Sequence, residues 1–426
     1  MERFTGLIGV VLILGIAVLM SNNRKAINLR TVFSGLALQL GLALFILKTT
    51  TGQTVFATVG KWITRLLEMA NQGGEFVFGG LMRPDLLHPI FGDHYSFLFM
   101  FRIMPTIIFV SVLVSIAYHI GLMQIIVSFF ARIVHFLMHV SGSEALSNVA
   151  STFVGQVEAQ IMIRPYISTM TMSELLARMR GSMACIAGGV MAVYIGMGVP
   201  ASYLLAASIM AAPASLVIAK IVWPETEESA TKGAVTLEIK KTHANLLDAI
   251  SHGASDGLKV SLNVIAMLIG FIALIALVNA ILIKIGVLLA MTGMNLDFIG
   301  INLTNFTLDS IFGSVFSVFA WAMGVPHSEI HSVGSLLGTK LVINEFVAYS
   351  RLSPMIAEHT LSPKAIIITT FALCGFANFS SIAIQVGGIG ELAPDRRKDL
   401  AKLGFKALMC GTLASYLSAT IAGILS

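Results

Sequence analysis

The stretch Thr152-Phe153-Val154-Gly155-Gln156-Val157-Glu158-Ala159 sets an amide and a carboxylate inside an otherwise apolar region. A second stretch, Leu341-Val342-Ile343-Asn344-Glu345-Phe346-Val347, does the same. The surrounding chain of 426 residues is 56% hydrophobic and only 12% charged, whereas a soluble domain carries about 25% charged residues. That composition predicts an all-α polytopic membrane protein in contact with lipid, because only helices and closed barrels satisfy their backbone in a bilayer. An ionisable group at that depth costs ~2.5 kcal/mol or more and marks a functional site by default. Glu158 and Glu345, each in a short interrupted segment, are therefore expected to be the two halves of one binding site.

A spanning helix needs about 20 apolar residues. Eight runs are read as spans, at 4–20, 31–47, 96–117, 175–195, 201–223, 260–290, 365–386 and 405–425. The sixth is too long for a perpendicular crossing and predicts a tilted or broken helix. The N-terminal run is read as a retained helix, since no small-residue cleavage site precedes Ser21-Asn22-Asn23. Residues 61–81 mix Lys61, Arg65 and Glu68 with apolar residues at helical spacing and run into Gly73-Gly74, which predicts an interfacial amphipathic helix. Residues 144–166 and 326–352 are too polar and too Gly- and Pro-interrupted to span once, and predict two re-entrant hairpins.

Basic residues set the orientation. Arg24, Lys25 and Arg30, then Lys232, Lys240 and Lys241, then Arg396, Arg397, Lys398 and Lys402 fall on one side of an eight-span chain. The positive-inside rule makes that side cytoplasmic, with both termini outside. The two hairpins then enter from opposite faces. The order of parts also repeats: an acid in a hairpin, a helix-start signal (Thr171-Met172-Ser173-Glu174, then Thr360-Leu361-Ser362-Pro363), and an apolar helix interrupted by small residues. The interruptions are Met183–Gly189 and Cys374–Ser381. Paired interrupted segments in an inverted repeat point to a transporter's midplane site. The chain divides accordingly into 1–95 (N-terminal and interfacial helices), 96–140 (a scaffold helix and amphipathic connector), 141–223 (first transport repeat), 224–300 (cytoplasmic loop and sixth helix) and 301–426 (second transport repeat).

Such a site collects Gln156, Glu158, Asn344, Glu345, Asn378, Ser380 and Ser381. Amides, hydroxyls and two carboxylates suit a neutral, hydroxyl-rich ligand with a flat heteroaromatic part, against which Phe376 packs. Blander readings stand beside this one. Gln156-x-Glu158 also fits a helix cap or an ion pair with Arg164, and Asn378 and Ser381 fit plain helix–helix hydrogen bonds. His135 with His139, and His327 with His331, lack a third metal ligand, and Gly387-Gly388-Ile389-Gly390 lacks a P-loop ending. Cys185, Cys374 and Cys410 read as buried small hydrophobes. No nucleophile accompanies the acids, so the chain is not read as an enzyme and needs no cofactor beyond a coupling ion. The net charge of +5 fits basic loops beside anionic lipid, and no aromatic-interleaved basic patch points to nucleic acid.

The motifs resemble those of the concentrative nucleoside transporter family. Gly155-Gln156-Val157-Glu158-Ala159 followed by Ile163-Arg164-Pro165-Tyr166 is similar to one family signature. Asn344-Glu345-Phe346-Val347-Ala348-Tyr349, Phe376-Ala377-Asn378-Phe379-Ser380-Ser381-Ile382 and Ala320-Trp321-Ala322-Met323-Gly324-Val325-Pro326 are similar to others. The resemblance implies a nucleoside importer driven by cation symport. It implies a homotrimer in the inner (plasma) membrane with eight spans, an interfacial helix, two opposed re-entrant hairpins and an elevator-like movement. Carried over by motif, Gln156 and Glu158 hold the nucleobase with Val157 and Val190 nearby, Glu345, Asn378 and Ser381 hold the ribose, and Phe376 lines the pocket.

Two departures stand out. Val157 replaces the usual Thr or Ser and Gln160 the usual Pro, which leaves base preference, or even a different polar substrate, open. At the cation site, sodium-coupled relatives carry Asn and Ser where this chain has Ser151 and Cys185. The carbonyls of Val154 and Ile186 would complete that site. A hard cation prefers oxygen to a thiol, and Ser at the first position is similar to proton-coupled relatives. The expectation is H+ rather than Na+ coupling, with Glu158 or Glu345 as the proton carrier.

Overall fold

The computed structural model describes residues 2–91, 98–153, 155–156, 158–161, 163–231, 244–292 and 303–426. All regular structure among these residues is helical. The chain opens with α1 (Glu2–Leu19), α2 (Leu29–Lys48), α3 (Thr50–Phe78) and the short α4 (Pro84–Phe91). Next come α5 (Phe99–His119), α6 (Leu122–Met138), α7 (Gly142–Phe153) and the one-turn α8 (Glu158–Ile161). α9 (Met172–Ala184) and α10 (Gly188–Gly196) are halves of one interrupted helix, followed by α11 (Ala201–Val222) and α12 (Leu246–Met291). The rest comprises α13 (Leu308–Ala322), α14 (Ile330–Val342), α15 (Glu345–Ala357), the half-helices α16 (Pro363–Leu373) and α17 (Phe379–Leu392), and α18 (Arg397–Leu425).

Among the described residues six stretches are long and apolar enough to cross a membrane: Leu29–Lys48, Met100–His119, Met172–Gly196, Ala201–Val222, Leu246–Met291 and Pro394–Leu425. The predicted span at 4–20 is α1, whose apolar part Thr5–Leu19 is shorter than that limit. The one predicted at 365–386 is split into α16 and α17 by Cys374–Asn378, so neither half has the length alone.

Two elements extend beyond their predicted bounds. The sixth span is not broken: α12 runs 46 residues without interruption, starting at an Asn245 cap that accepts from Asp248 N. Hydropathy located only its apolar part, because its first turns carry Asp248, His252 and Asp256. The amphipathic helix predicted at 61–81 is α3, which begins at Thr50 and passes through Gly73-Gly74. Gly74 is buried there because Met82 and Pro105 leave no room for a Cβ, with side-chain atoms at 2.6 and 2.8 Å.

Both predicted helix starts form as capping interactions. Thr171 Oγ1 accepts from Glu174 N at 3.1 Å while Thr171 N donates to Glu174 Oε2 at 3.0 Å, a reciprocal pair that satisfies two orphan donors. Ser362 Oγ accepts from Ala365 N at 3.3 Å, with Pro363 at the first helical position. The interruptions are tighter than the sequence suggested. Only Cys185–Ala187 and Cys374–Asn378 leave the helix.

The two breaks lie against each other. Gly375 has φ +104°, and a Cβ there would fall 2.5 Å from Met183 O and 2.6 Å from the Ala184 carbonyl carbon. Glycine alone permits both the left-handed backbone and the contact. Around this crossing, α9–α10, α11 and α18 form the centre of the molecule, with 72%, 89% and 83% of their most apolar windows buried. Small residues of α18, including Gly411, Ala414, Ser415 and Ala419, let it approach closely, which is how membrane helices gain packing energy without a hydrophobic force. α12 is the opposite case, with none of its apolar window buried. It touches α5 through Gly253 and Gly257, where a Cβ would lie within 2.8 Å of α5 backbone.

Candidate functional site

Four helix starts bear on the site. Glu158 is the first residue of α8 and Glu345 the first of α15. α10 begins after Ala187, and α17 after Asn378. At the start of α15 the helix's partial positive charge makes a tolerable place for the Glu345 carboxylate in a low-dielectric interior.

Glu345 is 5% exposed, and its carboxylate is held from two sides. Asn378 Nδ2 donates to Oε2 at 2.9 Å and Tyr194 Oη donates to Oε1 at 3.3 Å. Asn378 has a second task as cap of α17: its Oδ1 accepts from Ser381 N at 2.9 Å and Ser380 Oγ at 2.7 Å. Asn344 caps α15 in the same way, accepting from Val347 N at 2.8 Å. The two motif segments meet where Gln156 Nε2 donates to Ser381 Oγ at 3.4 Å and Gln385 Nε2 donates to Gln156 Oε1 at 3.1 Å. Gln156, Glu345, Asn378 and Ser381 are thus drawn into one cluster. Phe376 sits in the second break at 9% exposure, and Val190 is half-buried on α10. Val157 and Val154 lie outside the described residues, as does the side chain of Glu158. Arg164 is exposed.

Sequence reasoning missed Tyr194, Gln385 and Arg178, and read Gln160 only as a substitution for proline. Tyr194 stacks on Tyr349 at 4.2 Å and turns its hydroxyl to Glu345; a tyrosine inside an apolar run signals such a need, because a buried phenol seeks a partner. Gln385 lies one helical turn beyond Ser381 on the same face of α17. Gln160 is fully buried and forms a hub: it accepts from Arg178 Nε and from Ser147 Oγ, and its Nε2 donates to Ser182 Oγ at 2.6 Å. Ser182 Oγ in turn meets Ser151 Oγ at 3.1 Å. Arg178 is 1% exposed, and its Nη1 and Nη2 find no hydrogen-bond partner among the described residues.

Two of the expected cation ligands have protein partners in the structure. Ser151 Oγ already donates to Ser147 O at 2.8 Å, and the buried Cys185 thiol accepts from Thr152 Oγ1 at 3.4 Å. Ile186 is buried beside them.

Three family profiles match the chain in sequence. They describe the N-terminus of a Na+ dependent nucleoside transporter over residues 8–81, a nucleoside recognition "gate" over 100–201, and the C-terminus of a Na+ dependent nucleoside transporter over 203–423. The last alone spans more than half of the chain. The chain belongs to the concentrative nucleoside transporter family. It is therefore a membrane transporter and not an enzyme. The nucleoside permease NupC of Helicobacter pylori is 36% identical over 422 residues, covering 98% of this chain and 96% of that one. The sodium/nucleoside cotransporter 1 of Rattus norvegicus is 37% identical over 438 residues, covering all of this chain and 64% of the rat protein. The fold of this transporter matches CNTnw in an inward-facing, substrate-bound state with a TM-score of 0.91 at 40% identity, covering 100% of this chain and 98% of CNTnw. It matches a CNTnw variant in an outward-facing state with the same score, identity and coverage.

Proposed function

We propose that this transporter imports nucleosides by cation symport, with H+ favoured over Na+ as the coupling ion. The observation that carries this reading is the joint between repeats: Asn378 and Tyr194 on Glu345, with Gln156 against Ser381. Gln156 and Glu158, with Val157 and Val190 beside them, take the base. Glu345, Asn378 and Ser381 take the ribose hydroxyls, and Phe376 lines the pocket. A carboxylate accepts two hydroxyl protons, and amides pair with ring nitrogens and carbonyls.

Transport proceeds by an elevator-type movement of two opposed re-entrant hairpins, α7–α8 and α14–α15, carried with the broken helices. The moving unit comprises 141–223 and 301–426. Residues 96–140 and 224–300 form the scaffold, flanked by the N-terminal helices of 1–95. The six long spans, with α1 and the α16–α17 pair, make eight crossings. A homotrimer in the inner (plasma) membrane would cover part of the α12 face that this chain leaves open.

H+ coupling is favoured by the network behind Ser151. A buried guanidinium is linked through Gln160 and Ser182 to Ser151, and a positive charge in that network disfavours adding a second cation nearby. The thiol of Cys185 is a weak ligand for a hard ion. Na+ coupling is the second reading, supported by the family profiles named for Na+ dependence. Proteoliposomes decide between them. Uridine uptake should be driven by an imposed inward proton gradient and be indifferent to a sodium gradient. Strict dependence on sodium overturns the H+ reading, and no uridine uptake under either gradient overturns the nucleoside reading.

A further inference from the structure

Lys340 lies in the last turn of α14 and is fully buried. Its ammonium donates to Ala372 O at 2.7 Å, Cys374 O at 3.1 Å and Ser415 Oγ at 3.0 Å. An ammonium has three donors, so all of them end on neutral oxygens. Two of these oxygens belong to the C-terminal end of α16, where carbonyls lack helical partners and carry partial negative charge. The third comes from the centre of α18. This enclosed cage of oxygens has the chemistry of a monovalent cation site, and the cation in it is tethered to the chain.

The first repeat builds the same joint without an amine. There the end of α7 presents Ser151 to Ser182 and Thr152 to Cys185 at the break after α9. In the second repeat the end of α14 presents Lys340 to the break after α16. The carbonyls it holds lie directly before Gly375-Phe376-Ala377-Asn378, the segment that delivers Asn378 to Glu345. A hydroxyl would cap one of these carbonyls more cheaply than a charge at membrane depth. An ammonium, with three donors on one atom, can gather two carbonyls and a hydroxyl from two helices around one point.

We propose that Lys340 is a resident cation: its ammonium fills a monovalent-cation site at the second helix break and thereby positions Asn378 against Glu345 for the ligand. It is a positioning residue that does not touch substrate, and its effect on uridine rests on the nucleoside reading above. Removing the amine should leave a vacant site for a free cation. Lys340→Ala opens that space, while Lys340→Met fills it without charge.

The test is uridine binding by calorimetry on the purified full chain, in choline chloride and in ammonium chloride. In choline, both variants should bind about tenfold more weakly than the parent, the size expected for losing hydrogen bonds to a charged group. Ammonium should return Lys340→Ala to within about threefold of the parent, leave Lys340→Met weak and leave the parent unchanged. Parental affinity of both variants in choline overturns the proposal. So does a Lys340→Ala protein that stays weak in ammonium, potassium and sodium alike. A second arm needs no uridine: Lys340→Ala, purified in ammonium, should melt at saturably higher temperature as ammonium rises, and Lys340→Met should not. A flat response overturns the resident-cation idea even if uridine proves to be the wrong ligand, whereas failure of the parent to bind uridine counts against the nucleoside reading alone.

Discussion

Asn378 Nδ2 donates to Glu345 Oε2 at 2.9 Å, joining the start of α17 to the start of α15. One side chain therefore does two jobs, since the Oδ1 of the same amide caps α17. The arrangement ties the geometry of the acid to the geometry of the helix break.

Replacing Asn378 by Ala should remove both functions. Losing the cap costs ~1 kcal/mol, and an unpaired oxygen on a buried carboxylate costs a further ~1–3 kcal/mol. Thermal unfolding should show this loss together with weakened uridine binding. Asn378→Asp should keep the cap and still lose uridine, because a second carboxylate then faces Glu345. A variant with parental affinity would separate Asn378 from the site.

Gln156 is held between Ser381 and Gln385. Gln156→Leu should weaken uridine by about tenfold, the loss expected for a buried polar group left unpaired, and should flatten discrimination among nucleosides that share a ribose. Competition against labelled uridine by a panel of nucleosides reads this directly. An unchanged rank order would remove Gln156 from base recognition.

A buried ion pair joins α11 to α7. Lys220 Nζ lies 2.5 Å from Glu144 Oε1, with side chains 8% and 1% exposed, and donates to Ser173 Oγ at 2.9 Å. Breaking such a pair strands a charge and costs ~3–5 kcal/mol, whereas removing both partners is far milder. Lys220→Met should therefore destabilise strongly, and adding Glu144→Gln should recover much of the loss. A double-mutant cycle of melting temperatures checks this. Additive effects would mean that the pair contributes no coupling.

Local signals were legible in the sequence. The caps at Thr171 and Ser362 and both interruptions were read from residue type alone, because capping and small-residue breaks depend on neighbours in the chain. So was the joining of Gln156, Glu345, Asn378 and Ser381, through the paired order of the two segments. Contacts across the fold were not legible. Gln160 looked like a lost proline, yet it is the hub between Arg178, Ser147 and Ser182. Lys340 passed as one lysine among 27 basic residues, although its partners come from α16 and α18. The extent of α12 was hidden because a helix continues past the bilayer wherever its cap lies, and hydropathy reports only the apolar part.

The central claim is that Glu345 holds the nucleoside, and uridine binding to purified Glu345→Gln protein tests it most directly. The substitution keeps the size of the side chain and removes its charge. Charged hydrogen bonds contribute ~1.5–3 kcal/mol, so binding should weaken by at least about tenfold while the melting curve stays cooperative. A folded Glu345→Gln protein that binds uridine as tightly as the parent would contradict the account.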